Sequence, residues 1–378
     1  MDHSGQHSDH WCAAPSAGAV PRARLQLVSG TLVLSQGAEP APAEWQEGFA
    51  KLIAAHRIDL RFESPGRIAG FSQMRRWAAG EAGASPAAVF APWQCFSPVA
   101  FQPSADRTAL PRAQFAASYL FAAGMDRPAG RRHVDIMVMS PHPASCPPDE
   151  DCGAALPRTA VLSAMIRAAR AEGRSACAII APARSCSALA RRLLGTDRAL
   201  TRGEFAFEIV AIEDAIGRMI GGAPGWDAVI ALPELRSIVL AALAETCGVA
   251  GPWPLLWHDR GLRMVASEAL GQVPSRLGLD ATVLIQSLAL AARAAGLGYE
   301  AQRLYESWAQ LRERGVVTAS RGSALPYVTT VGESEFLALA LAEPSARTRG
   351  VPSWKAIAPV AGNRAAGSPV GLSLVASR

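Results

Sequence analysis

Three short runs of almost unbroken apolar residues constrain this chain more than any other feature. They are VDIMVMS at 134–140, CAIIAP at 177–182 and WDAVIAL at 226–232. A strand with one wet face alternates apolar and polar residues, whereas a strand that is apolar throughout has to be covered on both faces. Segments with apolar residues at helical spacing lie between and after these runs: 158–172, SALARRLLG from 187, and 233–248. Buried strands alternating with helices define an α/β protein.

The flanking sequence extends the pattern. RLQLVSGTLVL at 24–34 reads as a strand or hairpin. In 43–56, Trp45, Phe49, Leu52 and Ile53 fall near one helical face, and IDLRFE at 58–63 alternates like a strand, which makes a β–α–β unit. AAVFAP, near 87–92, is a short strand, and 109–123 has the character of a helix. The stretch 141–157 is a loop rich in Pro, Cys and acid. FAFEIVAIEDAIGRMIGG gives a strand and then a helix, and a loop containing GPWP follows from 251. Helices are expected at 283–296, 299–315 and 333–343, and a Gly/Ser/Pro-rich tail at 344–378. Residues 1–23, polar and small, are expected to be a disordered tail.

Composition narrows the function classes. The net charge is +5, and of the 37 basic residues only Lys51 and Lys355 are lysines. The basic residues are scattered, and aromatics are only 6% of the chain, so the stripe with interleaved aromatics that a nucleic-acid binder needs is missing. Seven widely spaced cysteines suit a reducing compartment rather than a disulfide framework. His142, Cys146 and Cys152 lie close in sequence, but no second tight pair completes four ligands. The N-terminus has no basic segment followed by an apolar one, and no apolar run reaches membrane-spanning length, so a cytoplasmic protein is expected.

From 158 to 254 the order is helix, strand, loop, helix, strand, acidic segment, Trp226-Asp227 strand and a glycine-terminated helix. Later come the apolar helix at 283–296 and GVVTASRG, and earlier FAAGMDRP at 121–128. This arrangement resembles the isocitrate/isopropylmalate dehydrogenase family over about 24–343. The resemblance implies two α/β domains around a cleft, the first from 24–115 plus 255–343 and the second, carrying the dimer elements, from 116–254. The family oxidises and decarboxylates a 2-hydroxy acid with NAD or NADP and a divalent metal. That chemistry needs carboxylate ligands for the metal, arginines for the substrate carboxylates, and a lysine and a tyrosine for proton transfer.

Position by position, these groups are missing. The family's lysine falls on Pro182 and its neighbouring asparagine on Arg184. The two metal aspartates fall on Ser237 and Ala241, with Arg236 in place of the preceding glycine. Only Glu213 or Asp214 matches the third aspartate. Arg127 matches one substrate arginine; a second falls on Ala117, with Arg112 the nearest arginine, and a third on Ser140. No tyrosine lies in 128–298. At the coenzyme loop the histidine falls on Glu268, and the family's later asparagine and aspartate fall on Asp280 and Ser320.

The expectation is therefore a degenerate homologue: a non-catalytic partner, regulatory or assembly subunit, as a homodimer or with a related or pathway protein. No cofactor or metal is expected, and residual nucleotide binding is disfavoured. The alternative is changed chemistry, or binding of an anionic metabolite, in the same cleft. It would draw on Arg112, Arg127, Arg184 and Arg236, on Glu213, Asp214 and Glu268, and on His258 and Cys186, the last as a thiolate activated by nearby arginines.

Overall fold

A computed structural model of the protein describes residues 25–27, 43–56, 88–102, 105, 110–122, 134–195, 205–221, 225–247, 249, 252–260, 262–270, 280–294, 297–318, 328–341 and 373–374. The strands are β1 (Leu25–Leu27), β2 (Ala88–Phe96), β3 (Phe115–Ala122), β4 (Val134–Pro141), β5 (Ala176–Ala181), β6 (Ala206–Ala211), β7 (Ala228–Ala231), β8 (Trp253–Asp259), β9 (Leu262–Glu268), β10 (Val316–Thr318), β11 (Thr329–Val331) and β12 (Ser373–Leu374). The helices, here α1 to α8 in chain order, are Ala43–Ala55, Thr159–Ala171, Cys186–Leu194, Ile212–Ile220, Arg236–Cys247, Ala281–Ala294, Gly298–Glu313 and Glu333–Leu341.

Ten strands form one mixed sheet in the order β1-β2-β9-β8-β3-β4-β7-β5-β6-β12. The three apolar runs are β4, β5 and β7. They lie side by side in parallel, as buried strands should. In the middle, β3 pairs antiparallel with both β4 and β8, and β8 antiparallel with β9. The α/β class and the helices near 43–56, 158–172, 187–195, 233–248, 283–296, 299–315 and 333–343 are as expected.

Two readings are corrected. Residues 109–123 are not a helix, because β3 occupies most of that stretch. Phe115, Ala117, Tyr119 and Phe121 face one core, and Ala116 and Leu120 face the other side of the sheet. The alanines of FAASYLFA lend it helical propensity, but central pairing on both sides overrides propensity. The loop expected from 251 is instead the hairpin β8–β9, in which Asp259 pairs Leu262 across a two-residue turn; Arg260 there has φ 44. Within the Gly/Ser/Pro-rich tail the described residues Ser373–Leu374 pair in parallel with Glu208 and Ile209 of β6. The strand expected at 58–63 lies outside the described residues.

One face of the sheet carries a single large core with α1, α2, α3, α6, α7 and α8. The other face carries two. One lies under α4 and α5 and holds Leu120, Val138, Val229 and Leu240; the other is built around Phe101, Ala116, Trp257 and Met264. Ser118 sits on β3 between Ala116 of one core and Leu120 of the other, so the seam between the two is polar.

A buried charge cluster ties the N-terminal ends of β4, β5 and β7. Helix α2 stops at Gly173, whose φ of +69 favours glycine, and the turn returns the Arg174 N–H to the Ala169 carbonyl at 3.1 Å. Arg174 is thereby delivered under the sheet, its side chain fully buried. Its Nη1 donates to Asp135 Oδ1 at 2.7 Å and to the Asp135 and Asp227 carbonyls at 3.0 and 3.1 Å, and Nη2 lies 3.5 Å from Glu172. The Asp227 carboxylate accepts from Ser175 and Ala176 N–H at 2.8 and 2.9 Å and so holds the start of β5. The Asp of the Trp226-Asp227 pair is thus a strand clamp. Replacing Arg174 with Met leaves Asp135 and Glu172 without their buried counter-charge. The expected loss is about 3–5 kcal/mol in urea denaturation; a loss under about 1 kcal/mol would mean that the cluster holds nothing together.

Candidate functional site

Strands β4, β7, β5 and β6 are parallel and end at one edge of the sheet, where β3 begins and β8 ends. Open α/β sheets place their ligand sites beyond such strand ends. The chain builds three of these ends alike: strand, one extended residue, then a 3-10 turn. The turns are Pro143–Ser145 after β4, Ala183–Ser185 after β5 and Pro233–Leu235 after β7. Proline suits the start of a turn because its φ is preset and it brings no N–H to satisfy. His142 caps the first turn, its Nδ1 accepting the Ala144 N–H at 3.1 Å. The other two turns run directly into α3 and α5, so Pro182 and Leu232 are the residues that launch those helices.

The topology gathers most of the expected site residues at this edge. Ser140 lies near the end of β4, Arg184 and Cys186 follow β5, Glu213 and Asp214 open α4, and Arg236 opens α5. Exposed Arg112 precedes β3, and the Gln114 N–H donates to the His258 carbonyl at 2.8 Å, which brings the end of β8 alongside. Arg127 and Ser320 lie outside the described residues. Asp280 serves elsewhere: its Oδ1 accepts the Val283 N–H at 2.7 Å and caps α6, while Glu333 accepts the Ala281 N–H at 2.8 Å.

At the centre lies a closed network. Arg236 has no exposed surface, and neither do Glu268, Ser118 or Ser140. Arg236 Nε donates to Glu268 Oε1 at 2.9 Å and Nη2 to Oε2 at 2.9 Å, a forked pairing. Nη1 donates to Ser140 Oγ at 2.9 Å and Nη2 also to Ser118 Oγ at 2.6 Å. Glu268 Oε2 additionally accepts from Ser118 Oγ and, at 3.1 Å, from the Trp253 indole N–H. The Phe101 ring lies 4.5 Å from the guanidinium carbon, a cation–π contact. Every Arg236 nitrogen and both Glu268 oxygens are therefore satisfied, which is what a buried ion pair requires. Ser140, Arg236 and Glu268, three positions that the resemblance matches to family motifs, meet here, Glu268 balancing the Arg236 charge and Ser140 accepting from it. The partners missed from the sequence are Ser118, inside the segment read as a helix, Trp253, inside the loop expected from 251, and Phe101, to which no element was assigned. No alternation in FAASYLFA singled out Ser118, because both faces of β3 are buried.

The remaining positions are open but do not assemble a metal site. Ser237 is half-buried and Ala241 exposed on α5, so no carboxylate stands at either, while Glu213 and Asp214 are exposed on α4. Among the described residues no group of three or more His, Cys, Asp or Glu side chains is placed to hold a metal. The expectation of an arginine-activated Cys186 is reversed. Partial burial, then Glu213 and Asp214, push its thiol up, which disfavours the thiolate. His258 stacks on Phe115, centroids 4.3 Å apart, and its Nε2 finds no partner among the described residues. Burial, with Arg263 adding to it, pushes this imidazole down to about 3.

The whole-fold comparisons follow this geometry. A crystal structure of isocitrate dehydrogenase from Methylococcus capsulatus superposes with a TM-score of 0.56 at 11% identity, over 84% of this chain and 98% of that one. The fold resembles that of isocitrate dehydrogenase. The TT0538 protein from Thermus thermophilus superposes with a TM-score of 0.60 at 14% identity, covering 90% of this chain and 72% of that one. No family model and no curated protein sequence matches the chain. At such identities the likeness carries the fold and not the activity. Among the described residues no helix is long and apolar enough to cross a membrane.

Two outcomes are expected. Replacing Arg236 alone with Met leaves Glu268 charged and buried, and should cost about 3–5 kcal/mol in urea. The paired change Arg236→Met with Glu268→Leu removes both charges and should cost markedly less, because apolar replacement of a whole buried pair is often close to neutral. A double variant as unstable as the two singles summed would contradict this. His258, with its folded value below the unfolded one, contributes stability that is complete above about pH 6.5. That contribution is lost as the pH falls toward 3, because the unfolded state binds the proton first. His258→Phe should flatten this part of the stability–pH curve; an unchanged slope would refute the assignment.

Proposed function

We propose that the chain keeps the dehydrogenase fold as a scaffold and acts as a non-catalytic partner, regulatory or assembly subunit. One observation carries this reading. The guanidinium of Arg236 occupies the seam where the resemblance puts the reaction, and the chain's own Glu268, Ser118 and Ser140 saturate it. A buried cation next to the metal-ligand positions opposes a divalent ion, and Ser237 and Ala241 offer no carboxylate to offset it. At the coenzyme-loop match, Glu268 and Ala269 are both buried, with the Glu268 carboxylate spent internally. The residues present therefore do not suit the family's metal and nicotinamide chemistry, and no reaction step is derived through either.

The second domain of the proposed arrangement, 116–254, supplies the surface for assembly. Helix α5 buries Val239, Leu240 and Leu243 in the core yet leaves Ile238 47% exposed, with Ala241 also outward. That is an apolar stripe suited to a homodimer or to a related subunit.

The test is sedimentation of the purified chain at about 10 µM, together with an assay for NAD or NADP reduction with isocitrate or isopropylmalate and Mg²⁺. The expected result is a dimer without turnover. The triple change Pro182→Lys, Ser237→Asp, Ala241→Asp should also fail to create activity, since it leaves Arg236 and Glu268 in the seam. Turnover within about a hundredfold of an ordinary ~10 per second would overturn the proposal, as would a clean monomer that co-purifies with nothing.

A further inference from the structure

The geometry points to a complete carboxylate-binding site that the protein occupies with its own side chain: Arg236, Ser118, Trp253 and Phe101 form the receptor, and Glu268 is its ligand. This goes beyond the scaffold reading and does not depend on it.

The Glu268 carboxylate accepts four hydrogen bonds from four different donor atoms. Arg236 Nε reaches one oxygen; Arg236 Nη2, Ser118 Oγ and Trp253 Nε1 reach the other. An arginine fork, a hydroxyl and an indole N–H converging on one carboxylate is how a protein recognises a free acid. Ser140 fixes the third guanidinium nitrogen, and Phe101 backs its plane. The donors come from β3, β8 and α5, whereas the acceptor comes from β9. None of the receptor's donors is therefore supplied by the strand that carries the acid. Both partners are fully buried, so the site presents nothing to an outside acid while Glu268 is in place. Glu268 is the last residue of β9, and Leu270, two residues on, is 38% exposed, so the occupant is carried at the end of its strand.

The size of the occupant makes the inference testable. Glu268→Ala deletes a CH₂–COO⁻ group, the heavy atoms of acetate, and leaves the donors in place. Thermal unfolding of this variant is to be followed in acetate, formate and butyrate, with chloride at matched ionic strength as the control. The expected result is a midpoint raised by about 2 °C or more at 100 mM acetate, less by formate and not by butyrate. Wild type and Glu268→Gln, whose sites stay filled, should show no acetate-specific shift. The double variant Arg236→Met/Glu268→Ala should also show none. If Glu268→Ala does not fold alone, refolding in acetate is the readout, and recovery of folded protein that rises with acetate and not with butyrate is expected. An equal shift in the Arg236→Met double variant, or no acetate effect on either the stability or the refolding of Glu268→Ala, would overturn the assignment.

Discussion

The Arg236–Glu268 pair is the constraint around which the rest of the structure is arranged. Its partners come from β9, β8, β3, β4 and the helix that follows β7, which are consecutive in the sheet order. The Arg236 guanidinium has no exposed surface, and each of its nitrogens finds an acceptor within the network. Ser118 and Ser140 are therefore hydroxyl-bearing in strands that are otherwise apolar on that face. The two cores of this face stop where the network begins, and the single core on the opposite face runs beneath it without interruption. The polar seam is one-sided: it divides one layer of the molecule and leaves the other continuous.

This arrangement balances a cationic seam from within the chain. A cleft lined with unpaired arginines and carboxylates is unstable unless a ligand supplies the counter-charge. Here the counter-charge is covalently part of the chain, so Arg236 is balanced without any bound ligand. The second cluster, Arg174 with Asp135, Glu172 and Tyr119, solves a similar problem at the opposite ends of β4, β5 and β7. Both clusters join elements that are far apart in sequence, and both put charge where a packing argument alone would put leucine.

Much of the fold was legible in the sequence. The runs at 134–140, 177–182 and 226–232 are strands because their apolar content leaves no solvent face, and the helices between them follow from spacing. The errors have physical causes. FAASYLFA carries alanines that suit a helix, and only its pairing on both sides makes it a strand. The β8–β9 hairpin was hidden by Pro254 and two tryptophans, although the Arg-Gly pair between apolar runs is a turn signal. The site was half legible. The positions that the resemblance marks as replaced, Pro182, Ser237 and Ala241, can be read one at a time. The meeting of Arg236 with Glu268 cannot, because it depends on which strands become neighbours. The environment of Cys186 went wrong for the same reason: Arg184 is near in sequence, but Glu213 and Asp214 set the charge around the thiol.

The long sequence separations within the network bear on how the chain is made. Ser118 and Arg236 are 118 residues apart, and Ser118 and Glu268 are 150 apart. On a ribosome, β4, β7, β5 and β6 with their helices are all synthesised before Glu268 emerges, so Arg236 enters a nascent sheet lacking its counter-ion. Contacts of such range form late and slow a fold down. Within this network the last stitch is then the arrival of β9, and until it comes Arg236 waits beside Ser118 and Ser140 without the carboxylate that balances it.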